Sequence, residues 1–301
     1  MATSNTVFNQ KTAQAALVES CTSIGVDPSD AELLRLGENA VFRLSTRPAI
    51  ARISRNGDRL PEAERLISVA RWLAANDIPS VKILDIPQPI IAGGCVVSFW
   101  ELATDREEYG STTELAGLLR KLHNVDECSE LNLPPLDPFE RSWSRISTAA
   151  ALSETDRTFL KHRHAELHAA YDQLEFELKP AVLHGDANVG NVIRDWHGRA
   201  ILADLDGFAV GPREWDLILT AIYYDRFGWH TRAEYSDFVE TYGYDLMKSS
   251  VYPTLADIRE FLMVSWLAQN ASDENSPERP ELAKRILALR TGASRRDWKP
   301  F

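Results

Sequence analysis

The run His184-Gly185-Asp186-Ala187-Asn188-Val189-Gly190-Asn191, followed by the apolar Ile201-Leu202-Ala203 and then Asp204, constrains this chain more than any other feature. β-pattern at residues 191–194 and 200–203, with the turn Trp196-His197-Gly198-Arg199 between them, predicts a hairpin. Such a hairpin sets Asn191, at the start of one strand, beside Asp204, at the end of the other. Two hard oxygen ligands then converge, as magnesium prefers. Asp186 follows a glycine that lets the backbone turn tightly, and its carboxylate is a candidate to take a proton. A base plus a carboxamide and a carboxylate for a divalent cation is the set that phosphoryl transfer needs. That reaction leaves the protein little covalent work and depends on positioning and charge neutralisation. A single Asp or Asn at a strand end is an ordinary turn residue; the joint spacing is what points to this chemistry.

The rest of the chain predicts an α+β protein. Residues 40–44 and 49–54 read as strands around Thr46-Arg47-Pro48, with a turn at Asn56-Gly57-Asp58. Residues 61–76 read as a helix with Leu66, Val69, Ala70 and Leu73 on one stripe. Residues 80–84 are strand-like, and residues 90–97 form a hairpin turning at Gly93-Gly94. After Trp100 the pattern becomes helical. Ser111 and Glu114 make a capping box opening a helix to Val125, and Ser153 caps a long helix to about Leu174. A short β-pattern at residues 181–183 precedes the central hairpin, and helices resume from about Glu214 to near Arg290. The expected division is a sheet-based part with one inserted helix at residues 1–100 and a mainly helical part at residues 101–301, which carries the central hairpin.

Charge narrows the partners. Residues 1–100 carry 10 Lys+Arg and 10 Asp+Glu, whereas the remaining 201 carry 23 and 34, so the whole net charge of −11 lies after residue 100. That acidity repels nucleic acid and anionic membrane and favours a cationic small molecule, although acidity also serves solubility alone. No apolar run is long enough to span a bilayer, and the polar start lacks the pattern of a signal peptide. A cytoplasmic protein is expected. Cys21, Cys95 and Cys128 have no metal-ligand spacing. His164 and His168 are four apart on the long helix but share it with an apolar stripe, which favours packing over metal binding. Tyr223, Tyr224, Phe227 and Trp229 suit either a substrate wall or core packing.

These motifs resemble the aminoglycoside phosphotransferase family, which includes choline, homoserine and other small-molecule kinases. The resemblance is carried by His184–Asn191, by residues 201–204, by Gly211-Pro212-Arg213-Glu214-Trp215-Asp216-Leu217 and by residues 36–44. It implies a two-lobed protein-kinase-like fold, with a nucleotide-binding N-lobe at 1–100 and a catalytic and substrate-binding C-lobe at 101–301. It implies that Asp186 is the catalytic base, that Asn191 and Asp204 hold Mg²⁺, that Asp216 is a buried support of the catalytic loop, and that His184 is structural. Asp206 shares the face of Asp204 if that strand continues, where it supports the site or touches substrate; the alternative is a turn carboxylate before Gly207. In the N-lobe the resemblance implies Arg52 at the phosphates, where related enzymes often carry Lys, with Arg55 as fallback. Leu66 occupies the position of the expected helix Glu, and Glu62 and Glu64 are the substitutes nearest it. The turn Gly37-Glu38-Asn39 is expected to cover the phosphates, and the backbone of Phe99, Trp100, Glu101 and Leu102 to meet adenine. The implied activity is transfer of the γ-phosphate of ATP or GTP to a hydroxyl of a small molecule, cationic as in an aminoglycoside-type antibiotic. An amino-alcohol or choline-like metabolite is the alternative acceptor, and a non-catalytic nucleotide-binding regulator the alternative class. Asp237, Glu240, Asp273 and Glu274 are candidates for binding ammonium groups. Neither nucleic acid nor membrane is an expected partner.

Overall fold

The computed structural model describes residues 8–37, 39–45, 47–55, 57–125, 131–271 and 276–300. Expectations placed on Glu38, Thr46, Asn56, Cys128, Asp273 and Glu274 lie outside them. The chain runs α1 (Gln10–Ser23), β1 (Glu32–Leu36), β2 (Asn39–Leu44), β3 (Ala49–Ser54), α2 (Leu60–Ala75), β4 (Ile90–Ala92), β5 (Cys95–Glu101), α3 (Thr112–His123), α4 (Ser142–Thr148) and α5 (Glu154–Tyr171). It continues through β6 (Ala181–Leu183), β7 (Val192–Arg194), β8 (Ala200–Leu202), β9 (Ala209–Gly211), α6 (Glu214–Ile222), α7 (Arg232–Tyr242), α8 (Tyr252–Asn270) and α9 (Glu278–Thr291). Contacts divide it into two units. The first comprises Met1–Gly110, Glu127–Leu133 and Gly190–Asp206; the second comprises Ser111–Asp126, Pro134–Val189 and Gly207–Phe301.

Alternation of buried and half-buried residues builds the sheet of the first unit. Its antiparallel order is β1-β2-β3-β5-β4. Ala40, Phe42 and Leu44 on β2 and Ala49, Ala51 and Ile53 on β3 share one buried face, as a period of two requires. Arg52, paired with Val41 in register, is left on the other face. Against the buried face pack Ala13, Ala16, Leu17 and Cys21 of α1. The sequence reading did not anticipate α1. Its buried side is mostly small residues, which give little helical periodicity, and its start is fixed by a reciprocal Asn9–Thr12 capping box. The β4–β5 turn has positive φ at both Gly93 and Gly94, which is why two glycines stand there.

Residues 80–84 do not form the expected strand. They cross between two elements and make one bridge to each, Ser80 with Leu202 and Ile83 with Trp100. The β7–β8 hairpin forms as expected, with Val192 opposite Leu202. It packs with the first unit rather than with the helical part: Val81 N–H donates to Leu202 O at 2.8 Å and Gly110 N–H to Val192 O at 2.7 Å.

In the second unit, α3 starts at the Ser111–Glu114 capping box and buries Leu115, Leu118, Leu119 and Leu122. β6 pairs with β9, a strand too short to be read from sequence. Helix α8 buries Leu255, Ile258, Phe261, Val264 and Leu267, and with them Arg259 and Glu260. The Glu260 carboxylate is satisfied by Arg226 Nη1 at 2.9 Å and Arg295 Nε at 3.1 Å, as a buried charge must be. Among the described residues no helix is long and apolar enough to cross a membrane.

Leu17 is fully buried between α1 and the sheet. Leu17→Ala is expected to destabilise the protein by about 2–4 kcal/mol through lost burial and a residual cavity, read as a lower urea midpoint at unchanged slope.

Candidate active site

The loop after β6 is built around one buried carboxylate. Asp216, in the first turn of α6, is wholly buried. Its Oδ2 accepts the His184 N–H at 2.7 Å and lies 3.1 Å from His123 Nε2, and its Oδ1 accepts the Gly185 N–H at 2.8 Å. His123, the last residue of α3, is oriented by Tyr242 Oη at 2.7 Å from its Nδ1. Burial alone pushes the Asp216 carboxyl up, but hydrogen bonding and charge from His123, with charge and the backbone N–H of His184, outweigh it and hold the group below the usual carboxylate range. The resemblance assigned Asp216 a supporting role, and here it receives two successive N–H groups of the motif. The His184 ring is fully buried and lies against Phe208.

Gly185 has φ +85°. A Cβ there would meet the Gly207 carbonyl oxygen at 2.0 Å, and a Cβ on Gly207 would meet the His184 carbonyl oxygen at 2.8 Å. The two glycines therefore touch backbone to backbone, and neither position has room for a side chain. The Gly185 carbonyl accepts from Trp215 Nε1 at 2.9 Å and from Arg259 Nη2 at 3.0 Å. With its peptide held on both sides, Asp186 presents a carboxylate whose side chain is 54% exposed. Tyr223 stands nearby in a π-helical segment (Tyr223–Phe227) that continues α6. Burial pushes its phenol up to about 12, with the Asp186 charge adding to the effect. The neighbouring Phe227 is core, stacked on Trp298. Sequence reading overlooked Arg259 and the part that Trp215 plays, since both act through contacts across different helices.

The first unit holds the other candidates. Asn191 ends a 3₁₀ turn just before β7, and the Ala203 N–H donates to its carbonyl at 2.8 Å. The hairpin thus brings Asn191 close to Asp204. Asp204 is exposed with φ +53°, a left-handed conformation that Asp tolerates better than most residues. The strand does not continue to Asp206, which sits in a 3₁₀ turn (Leu205–Gly207) because the chain has already turned at Asp204. There Asp206 Oδ2 pairs with Arg52 Nη2. Asn39, with its amide oxygen turned to Arg52, accepts from Nε at 3.2 Å and Nη2 at 2.7 Å. Arg52 therefore finds its carboxylate in Asp206. Glu62 instead pairs at 3.0 Å with Arg59, the residue just before α2, Glu64 is exposed, and Leu66 is buried.

The segment expected to meet adenine is largely engaged already. Phe99 and Trp100 have buried side chains. The Phe99 N–H donates to Gln88 Oε1 at 2.8 Å, the Glu101 N–H to Lys82 O at 2.8 Å and the Leu102 N–H to Pro48 O at 3.3 Å. The Leu102 carbonyl accepts from Trp196 Nε1 at 2.7 Å. Outside the strand ladder, the Glu101 carbonyl and the Ala103 N–H make no hydrogen bond among the described residues. On α5, His164 is packed by Phe139, Trp143 and Phe261, and burial lowers its pKa.

Comparison with known proteins follows the same elements. The profile of the "Phosphotransferase enzyme family" matches residues 31–261. The chain is 26% identical over 155 residues to a "Probable ketoamine kinase" of Lactiplantibacillus plantarum, a match covering 44% of this chain and 55% of that protein. It thus matches about half the length of that curated relative. Among solved structures, the amicoumacin kinase hAmiN in complex with AMP-PNP, Ca²⁺ and Ami superposes with TM-score 0.73 at 14% identity, covering 97% of this chain and 98% of that one. The microcompartment-associated aminopropanol kinase gives 0.67 at 17% identity over 93% and 95%. These likenesses show the fold, which is the protein-kinase-like fold of small-molecule kinases.

Asp216→Asn removes an anion that three donors face and is expected to cost about 3 kcal/mol, measured by urea denaturation at pH 7. Because the folded carboxyl titrates below the unfolded one, its contribution is present above the ordinary carboxylate range and is lost as pH falls through the folded value. The parent protein should therefore lose stability steeply below about pH 4, and the Asn variant should show a flatter acid limb.

Proposed function

The chain belongs to the phosphotransferase enzyme family, and from that membership we propose that it transfers the γ-phosphate of ATP or GTP to a hydroxyl of a small molecule. The observation that supports this most is the held Gly185 peptide, which leaves one exposed carboxylate, Asp186, beside a fully satisfied buried one, Asp216. The satisfied carboxylate organises the loop; the exposed one is the proposed acceptor of the proton of the attacking hydroxyl. Asn191 and Asp204 offer two hard oxygens, which fits an ion that takes its other ligands from phosphates and water. Among the described residues no three His, Cys, Asp or Glu side chains gather as an all-protein metal cage. Bound there, Mg²⁺ supplies neutralisation of the phosphate charge.

Arg52 is the proposed phosphate cation. Its guanidinium has five donors, so the contacts with Asp206 and Asn39 leave N–H groups for a phosphate. Adenine is assigned to the Glu101 carbonyl and Ala103 N–H, which outside the strand ladder make no hydrogen bond among the described residues. Nucleotide binding is assigned to the N-terminal hundred residues, and the cytoplasm, which supplies nucleotide triphosphates, is the proposed location.

For the acceptor we favour a cation of the aminoglycoside type, because the excess of 34 acidic over 23 basic residues lies after residue 100. An amino-alcohol or ketoamine metabolite is the second reading, favoured by the likeness to the aminopropanol and ketoamine kinases. A panel of aminoglycosides, amino-alcohols, ketoamines and neutral polyols with MgATP or MgGTP, read by an 80-Da mass gain characteristic of one phosphoryl group, separates these classes; nucleotide binding without transfer to any hydroxyl would support the regulator instead. Asp186→Asn is expected to reduce transfer by roughly 10²–10⁴-fold while leaving the melting temperature and nucleotide affinity near those of the parent. Full activity in that variant overturns the assignment.

A further inference from the structure

Arg259 on α8 is a buried cation that the proposed reaction has not used. Only 7% of it is exposed. Its guanidinium lies over the Trp215 indole, 4.0 Å from the ring centroid, a favourable stack for a desolvated arginine. From that platform Nη2 donates to the Gly185 carbonyl at 3.0 Å, and Nη1 comes within 3.5 Å of Asp186 Oδ1. Its Nε is buried without a hydrogen-bond partner among the described residues.

Satisfying the Gly185 carbonyl does not require this charge. Trp215 Nε1 already donates to that oxygen at 2.9 Å, and a neutral donor at lower desolvation cost would serve as a second. Burial works against the Arg259 cation, and the carboxylates of Asp186 and then Asp216 push back. Asp216 has three donors of its own. The carboxylate that gains from Arg259 is therefore Asp186. One planar fork reaches both the peptide before Asp186 and the Asp186 carboxylate, so it fixes the direction of the side chain relative to its own backbone.

We infer that Arg259 is a positioning residue for Asp186, aiming its carboxylate from the α8 side through a fork seated on Trp215. The inference rests on the reading of Asp186 as the base. Arg259→Gln, Arg259→Lys and Asp186→Asn are to be compared, using MgATP with the panel compound found to accept phosphate, or with water as acceptor, read as phosphate release. Misdirecting the base by about an ångström predicts a kcat roughly 10–100-fold lower in the Gln variant, with the KM for MgATP within about twofold of the parent, since uniform binding is untouched. The Lys variant keeps the charge but cannot reach carbonyl and carboxylate together, so it should lose kcat by about tenfold, again without a change in KM. Guanidinium ion at millimolar concentration should restore part of the rate of an Arg259→Ala protein. A purely structural role would instead lower the folded fraction and leave kcat per folded molecule unchanged. If the Gln variant does not fold, the Lys variant decides. Parental kcat in either folded variant, while Asp186→Asn is inactive, overturns the inference. Full activity in Asp186→Asn instead overturns the reading of Asp186 as the base, on which the inference rests.

Discussion

One buried carboxylate governs this molecule. Asp216 lies out of water, and an ionised group in that position persists only if its lone pairs are filled. They are filled by consecutive backbone N–H groups from His184 and Gly185 and by the His123 ring. The charge and the loop therefore require each other: without the loop the carboxylate is uncompensated, and without the carboxylate two peptide N–H groups lose their acceptor. Tyr242 on α7 extends this dependence by orienting His123 at the end of α3. Three helices thus converge on one carboxylate, and the backbone leading to Asp186 is held by that arrangement.

What was legible in the sequence was whatever repeats at short range. Period-two burial in β2 and β3, the glycine pair between β4 and β5, the Ser111–Glu114 and Ser153 caps and the β7–β8 hairpin each depend on neighbours within a few residues. The central motif was legible because its aspartates and asparagine sit at fixed offsets. What remained hidden depends on remote partners. Helix α1 buries alanines and a cysteine, which give no stripe until a sheet is there to receive them. Strand β9 is three residues long and exists only because β6 pairs with it. Arg259 looks like any helical surface cation in the sequence until Trp215 and Gly185 are brought beside it.

The N-terminal unit shows how one charge can be served by an unexpected partner. The sequence places Leu66 where a helix carboxylate was sought, and Glu62 pairs with Arg59 at the N-terminal cap of α2. Arg52 is nevertheless paired, because the turn at Asp204 swings Asp206 out of the strand and toward β3. A positive φ at one aspartate thus decides where the carboxylate two residues later is delivered. Asn39, at the start of β2 and paired in register with Ser54 of β3, completes the seat.

The contact between Gly185 and Gly207 also limits how this chain can diverge. Either residue, given a methyl group, runs into a carbonyl of the opposite strand of backbone, and altering its counterpart cannot relieve the clash because the obstruction is main chain. Compensatory drift, which lets most packed pairs wander together through a lineage, is closed at this crossing. Diversity must instead accumulate around it, so two descendants with different acceptors can share this junction atom for atom while little else in their sequences agrees.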